Sequence, residues 1–207
     1  MKQKHFIDFH KGITFLYILG LIYFYSAFDN VAIWVYLGLH GTYGVLWVMK
    51  SMIFPDKSWE EDTGLIYGLV ILIGLSLYWI SPWIIVSGYF HDGQMTLIPN
   101  WLISVSIFSF GIGIFLHFSS DMQKHTALKL NPGKLITDGL FKKSRNMNYV
   151  GEFLIYLSFS LLSMHWLPIL VLGSFILVVW IPNIIKKDKS LSRYQEFSNY
   201  KKNTRIF

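Results

Sequence analysis

The sequence predicts an all-α, polytopic membrane bundle of about six transmembrane helices, with both termini on the cytoplasmic side, and three observations carry that reading. Its 207 residues are 53% hydrophobic, 18% aromatic and only 14% charged, with a mean hydropathy of +0.44, a composition solvated mainly by lipid. Six windows close to the roughly 20 apolar residues that cross a bilayer follow one another along the chain. Once these are drawn as spans, all 18 Lys and Arg residues collect on one side.

The first window, 11–28, follows a basic N-terminus but has no small-residue cleavage site and ends in aromatics, so it reads as a span and not a signal peptide. The second, 31–54, holds "LGLHGTYG" with His40 and Tyr43 and is closed by Pro55; Lys50 and Lys57 then count as cytoplasmic flank. The third, 64–88, carries Pro82 as a kink, and the fourth, 98–119, starts beside Pro99. The fifth, 148–165, opens on "NYVGE", and the sixth, 167–185, contains Pro168 and Pro182. Loops around Asp29, from His91 to Pro99 and from Ser163 to Pro168 hold no basic residue, which places them opposite the basic loops.

Composition also excludes several chemistries. With no cysteine, disulfides, thiolate catalysis and cysteine-ligated metal are out. The seven His are scattered without ligand spacing, so no metal site is expected. A net charge of +6 is accounted for by the flanking positions of the basic residues and implies no nucleic-acid partner. The expected location is an inner membrane, and the composition says nothing of oligomeric state.

Attention falls on Ser120–Met147, a basic stretch between two apolar segments, and on the tail after residue 185. Long basic loops with aromatics suit an anionic, partly aromatic ligand such as a phosphorylated cofactor; lipid headgroups are the alternative partner. In a helix starting near Asn148, residues 148, 152 and 156 share a face, so Asn148, Glu152 and Tyr156 form a polar stripe inside the bundle, with Gly151 permitting close approach nearby. Glu152 serves a pocket there, or pairs with Arg145 or Lys187 as structural glue. Asp121 binds a ligand, or caps a loop or helix.

The segment "ITDGLFKKSRNMNYVGEFLIYLSFSLLSMHW" with the closing "KKDKSLSRYQEFSNYKKNTRIF" resembles the C-terminal region of the steroid 5-alpha-reductase-like superfamily, in particular its small bacterial branch, from about Gly111 onward. The resemblance implies a cofactor-binding region over 120–207, with N-terminal helices 1–119 on the substrate side. It implies NADPH held by Asp121, Asn148, Arg145 and Tyr149, with Tyr194 and Arg205 closing from the tail and Lys124, Lys129, Lys186 and Lys187 around it. It further implies Glu152 in the same pocket and reduction of an activated C=C bond in a steroid-, isoprenoid- or other lipid-like substrate. Where many relatives have "RHPNY", this chain reads Arg145, Asn146, Met147, Asn148, Tyr149. His40 and Tyr43 are the local candidates for a donor to a substrate oxygen, since a buried ring nitrogen or phenol stabilises an enolate; bridging between helices is their alternative role.

Two other functions fit the same pattern. Small membrane methyltransferases that use S-adenosylmethionine share a similar C-terminal half, but where they usually carry a Glu-Glu pair this chain has Lys186, Lys187, Asp188 and Lys189, better suited to phosphates. A non-enzymatic lipid-binding protein is the third reading.

Overall fold

In the computed structural model, which describes residues 1–90 and 92–206, six long helices form the bundle. They are α1 (Gln3–Phe24), α2 (Val31–Ile53), α3 (Leu65–Ser87), α4 (Asn100–Leu130), α5 (Met147–Leu162) and α6 (Trp166–Leu191); a short α7 (Phe197–Asn203) ends the chain. Five of the six are long and apolar enough to cross a membrane, while α5 has 16 residues. At 1.5 Å per residue α5 is about 24 Å long, short of a hydrocarbon core of about 30 Å. Its irregular approach, Ser144–Arg145–Asn146, is buried in protein. That is the setting in which non-helical backbone is tolerated at membrane depth.

Two boundaries differ from expectation. The first helix begins at Gln3, not 11, because Phe6, Ile7, His10 and Lys11 already pack inward and Lys2 pairs with Glu60 at 2.5 Å. The fourth continues to Leu130, so the first third of the expected loop is helix: Ser120 and Asp121 lie buried on the face that carries His117. The helix ends before Gly133, whose φ of +80° suits a residue without Cβ. The division at 119/120 therefore falls inside one unbroken helix. Of the loop expected from His91, His91 itself lies outside the described residues.

Outward faces are apolar: Ile66, Val70 and Ile73 on α3, Phe108 and Phe115 on α4, and Leu177 and Val178 on α6 are all exposed. Inward faces close on Ile18, Ile33, Tyr36, Ile85, Ile155 and Leu162. In lipid, apolar burial does little to distinguish these faces, so close helix packing carries the association. Two glycines permit it. A Cβ on Gly151 would lie 2.3 Å from the backbone N of His117, so α5 touches α4 backbone to backbone. A Cβ on Gly44 would lie 2.4 Å from the Lys11 carbonyl, so α1 rests directly on α2 at Lys11.

The ends of the bundle are chemically distinct. At one end Asn30 accepts from Ile33 N at 3.2 Å, capping α2, and donates to the Thr96 carbonyl at 3.1 Å, tying two loops together. At the other end the basic segments meet. Lys124 pairs with Asp56 at 2.8 Å, and Arg145 with Asp188 at 3.3 Å.

Candidate functional site

The site is built from helix faces. On α2, Tyr36, His40, Tyr43, Trp47 and Lys50 repeat at spacings of four and three and form one buried stripe. His117 and Asp121 continue the pattern on α4, as do Asn148, Glu152 and Tyr156 on α5, and α1 contributes His10 and Lys11. These four stripes face one another, giving a polar ladder that descends from the basic end into the bundle.

At the mouth, Lys50 Nζ stands between Asp121 at 2.5 Å and Asp56 at 3.1 Å, and Lys124 reaches the other oxygen of Asp56 at 2.8 Å. Burial by itself raises the Asp56 carboxyl, but the Lys50 and Lys124 ammoniums outweigh it and hold it well below the usual carboxylate range. Beside this chain, His117 Nδ1 donates to the Asn148 carbonyl at 3.1 Å, so in the neutral ring Nε2 carries no proton; it lies 3.9 Å from Asp121. Deeper still, Lys11 Nζ donates to the Tyr156 hydroxyl, with the Tyr43 and Tyr156 rings set at 80° to each other, 5.8 Å apart.

Several polar atoms in the ladder are buried and incompletely satisfied among the described residues: His117 Nε2 and Asp121 Oδ1 have no hydrogen-bond partner, and Tyr43 Oη has only the Tyr156 hydroxyl beside it. Most buried polar atoms in native structures are satisfied, so a polar ligand or water is the natural complement of such a cluster. A narrow cleft, with a cavity volume of only about 10 Å³, opens between α1, α2 and the 55–59 turn, lined by Lys4, Asp8, Trp47, Lys50, Asp56 and Trp59.

Sequence-derived candidates divide into three groups. Tyr43, Asp121, Asn148, Glu152 and, through Asp56, Lys124 lie on the ladder. His40 lies one turn deeper than Tyr43, stacked on Phe159 at 4.3 Å with Nδ1 3.1 Å from the Tyr36 hydroxyl. The others sit elsewhere. Lys129, Lys186 and Arg205 are exposed; Tyr194 meets Arg193, and Tyr149 packs on Trp180 at 5.4 Å.

Arg145 and Lys187 do not pair with Glu152, contrary to one expectation. Arg145 is turned to Asp188 and to the Thr204 carbonyl at 2.8 Å, and Lys187 donates to the Arg145 carbonyl and to Asn146 Oδ1 at 3.0 Å. Glu152 has no ion pair among the described residues; its electrostatic neighbours are His117, Lys11 and Lys50. Asp121 caps nothing, lying inside α4 against Lys50.

The tail does fold over the approach to α5. Arg145 N donates to the Arg205 carbonyl at 3.1 Å, Arg205 N to Lys143 at 2.9 Å, Asn146 Nδ2 to Ile206 at 2.9 Å and the Tyr200 hydroxyl to Phe141 at 2.7 Å. The backbone of Arg205, not its side chain, makes the closure.

Sequence reasoning missed Lys11, Lys50 and His117. The two lysines passed for flanking charges, although they are 3% and 4% exposed. The signal that would have found Lys50 is its place seven residues beyond Tyr43 on one helix face; His117 lies four before Asp121 in the same way.

A family model described as a protein of unknown function (DUF1295) matches residues 56–204. No curated protein and no solved structure matches the chain.

Proposed function

We propose, from the chain's membership of the DUF1295 family, that it is a membrane-embedded reductase of the steroid 5-alpha-reductase-like superfamily, using NADPH to reduce an activated C=C bond in a lipid-like substrate. One observation carries the reading: a charged, polar ladder runs from the basic end of the bundle to the buried Tyr43 hydroxyl, whose hydrogen is given to no acceptor among the described residues. Ionisable groups at such depth are costly and are retained where they act.

The residues present fit a dinucleotide in part. The Asn148 amide, without a hydrogen bond among the described residues, and the orphaned His117 Nε2 face the same ladder as Lys50 and Lys124. Those two lysines are already matched by Asp56 and Asp121, so phosphates would have to share them. When bound, NADPH supplies a hydride. Asn148 and His117 would hold its ring end, and Lys50 and Lys124 would attract its phosphates. Tyr43 donates its hydroxyl hydrogen to the substrate oxygen on which charge develops. His40 backs Tyr43 from below, and the surrounding aromatic rings exclude water from the developing charge. In this reading the basic end faces the cytoplasm, in a bacterial inner membrane.

The orphaned Asp121 oxygen favours one other reading, since a carboxylate suits the sulfonium of S-adenosylmethionine. Thermal-shift measurements on the detergent-purified chain separate the two. NADPH should raise the melting temperature and S-adenosylmethionine should not. Asn148→Ala should reduce the NADPH shift. Preference for the sulfonium would reverse the reading, and indifference to both would leave a lipid-binding protein.

A further inference from the structure

Lys11 is the least expected residue of the ladder. It lies roughly 12 Å along α1 from the start of the helix, is 3% exposed, and is fixed there because Gly44 lets the Lys11 carbonyl rest on α2. A lysine at this depth has a stem long enough to reach back toward water. Its ammonium goes inward instead: it donates to Tyr156 and stands 4.4 Å over the Tyr43 ring, 5.0 Å over the Tyr156 ring and 5.2 Å over that of Trp47.

No carboxylate among the described residues lies within ion-pair distance of it, whereas Lys50 and Lys124 are both matched. Ring faces and one hydroxyl offset only part of the cost of burying a charge. Next to this lysine is the fully buried Tyr43 hydroxyl, which has only the Tyr156 hydroxyl beside it and gives its own hydrogen to no acceptor among the described residues. Both deficits are met by one ligand atom, an anionic oxygen accepting from Tyr43 within the field of Lys11.

We infer that Lys11 is the positioning residue of a buried oxyanion site, holding Tyr156 and Tyr43 so that the Tyr43 hydroxyl binds an ionised oxygen on an apolar body, such as an enolate or a phenolate. The inference rests on the reductase reading and deepens it by naming the class of ligand: an amphiphile with an enolisable or phenolic oxygen. Other titratable groups facing Lys11 are His10 on α1, His40 and Tyr43 on α2, and Glu152 and Tyr156 on α5; Tyr78 on α3 stacks on Tyr156 behind them, and Lys50, His117 and Asp121 stand around Glu152. Glu152 is the competing anion.

The probe is β-naphthol, whose neutral and ionised forms absorb differently, titrated with the purified full chain and corrected against empty micelles. The wild type should bind it with at least a tenfold larger ionised fraction than the free probe at the same pH. Lys11→Met should return that fraction to the free value, and Tyr43→Phe should lower it severalfold. Tyr43→Phe deletes a single oxygen, so it carries the test should Lys11→Met fail to fold. No binding, or an ionised fraction unchanged in a folded variant, would overturn the inference. NADPH-induced thermal shift on the same wild-type sample keeps the two ideas apart: a shift without naphtholate preference removes the oxyanion site alone, and preference without a shift removes the reductase reading while the anion site stands.

Discussion

Lys50 Nζ lies 2.5 Å from a carboxylate oxygen of Asp121, and the two side chains are each 4% exposed. The pair joins α2 to α4 at the level where the ladder begins. Removing one partner of a buried pair leaves an uncompensated charge, typically at about 3–5 kcal/mol, whereas replacing both with apolar groups is often neutral. Lys50→Met and Asp121→Leu should therefore each lower stability strongly, and the double variant should recover most of the loss. Equilibrium unfolding of the four proteins in one detergent measures this. Additive losses would mean that the pair does not function as a unit.

Asp56 links this pair to Lys124 outside the spans, and its depressed carboxyl makes a pH prediction. A carboxylate whose folded value lies below its unfolded one contributes stability in full above the unfolded value, 3.8, and loses it as pH falls from there through the lower folded value. Acid should thus weaken the wild type in that window. Asp56→Asn should start less stable at neutral pH and show a flatter acid limb. Parallel limbs in the two proteins, followed by thermal melts at stepped pH, would contradict the Asp56 assignment.

How much of this could be read from the chain depends on the range of each interaction. The stripe Asn148, Glu152, Tyr156 needs only a helical period to be read, and Tyr43 and His40 stand out as polar groups in an apolar run. Lys11 did not, because its meaning comes from Tyr156, 145 residues away, and a hydropathy window treats any lysine near its edge as a boundary mark. Lys50 was lost in the same way. α4 ran past its expected end because Gln123, Lys124 and His125 look like loop in a hydropathy profile, although the helix is held there by the inward face carrying Asp121. Arg205 and Tyr194 came from resemblance, which marks a segment without saying which atoms act: the tail is tied down chiefly by backbone groups and by Arg145 and Asn146.

Gly151 tests whether the α4–α5 contact sets the ladder's geometry. Its missing Cβ would meet backbone atoms of His117 and Gly113, at 2.3 and 2.7 Å, and backbone cannot turn aside as a side chain does. Gly151→Ala should lower stability by about 1–3 kcal/mol, the usual cost of overpacking. It should also lengthen the His117 to Asn148 hydrogen bond, so NADPH stabilisation should fall along with the melting temperature. Gly173→Ala, on α6 with open space around the added methyl, is the control and should leave both unchanged.

The tail closure can be tested through Arg145. Its side chain is 2% exposed and ties three segments together, α6 through Asp188 and the tail through the carbonyls of Lys201 and Thr204, at 3.3 and 2.8 Å. Arg145→Ala removes those bonds and leaves Asp188 with Lys201 alone, on a pairing of 3.2 Å at the surface. Surface pairs contribute little, so the tail should detach locally while the helices stay folded. Lys142, Lys143 and Lys202 are exposed cleavage sites on the two segments that meet in that closure. Limited trypsin digestion should therefore cut Arg145→Ala at least tenfold faster than the wild type within 142–202, with little change in the thermal transition of the bundle. Equal cleavage rates would mean that the closure is held by the Arg205 backbone bonds and by α7 packing, through buried Phe197 and Tyr200, and not by the arginine side chain.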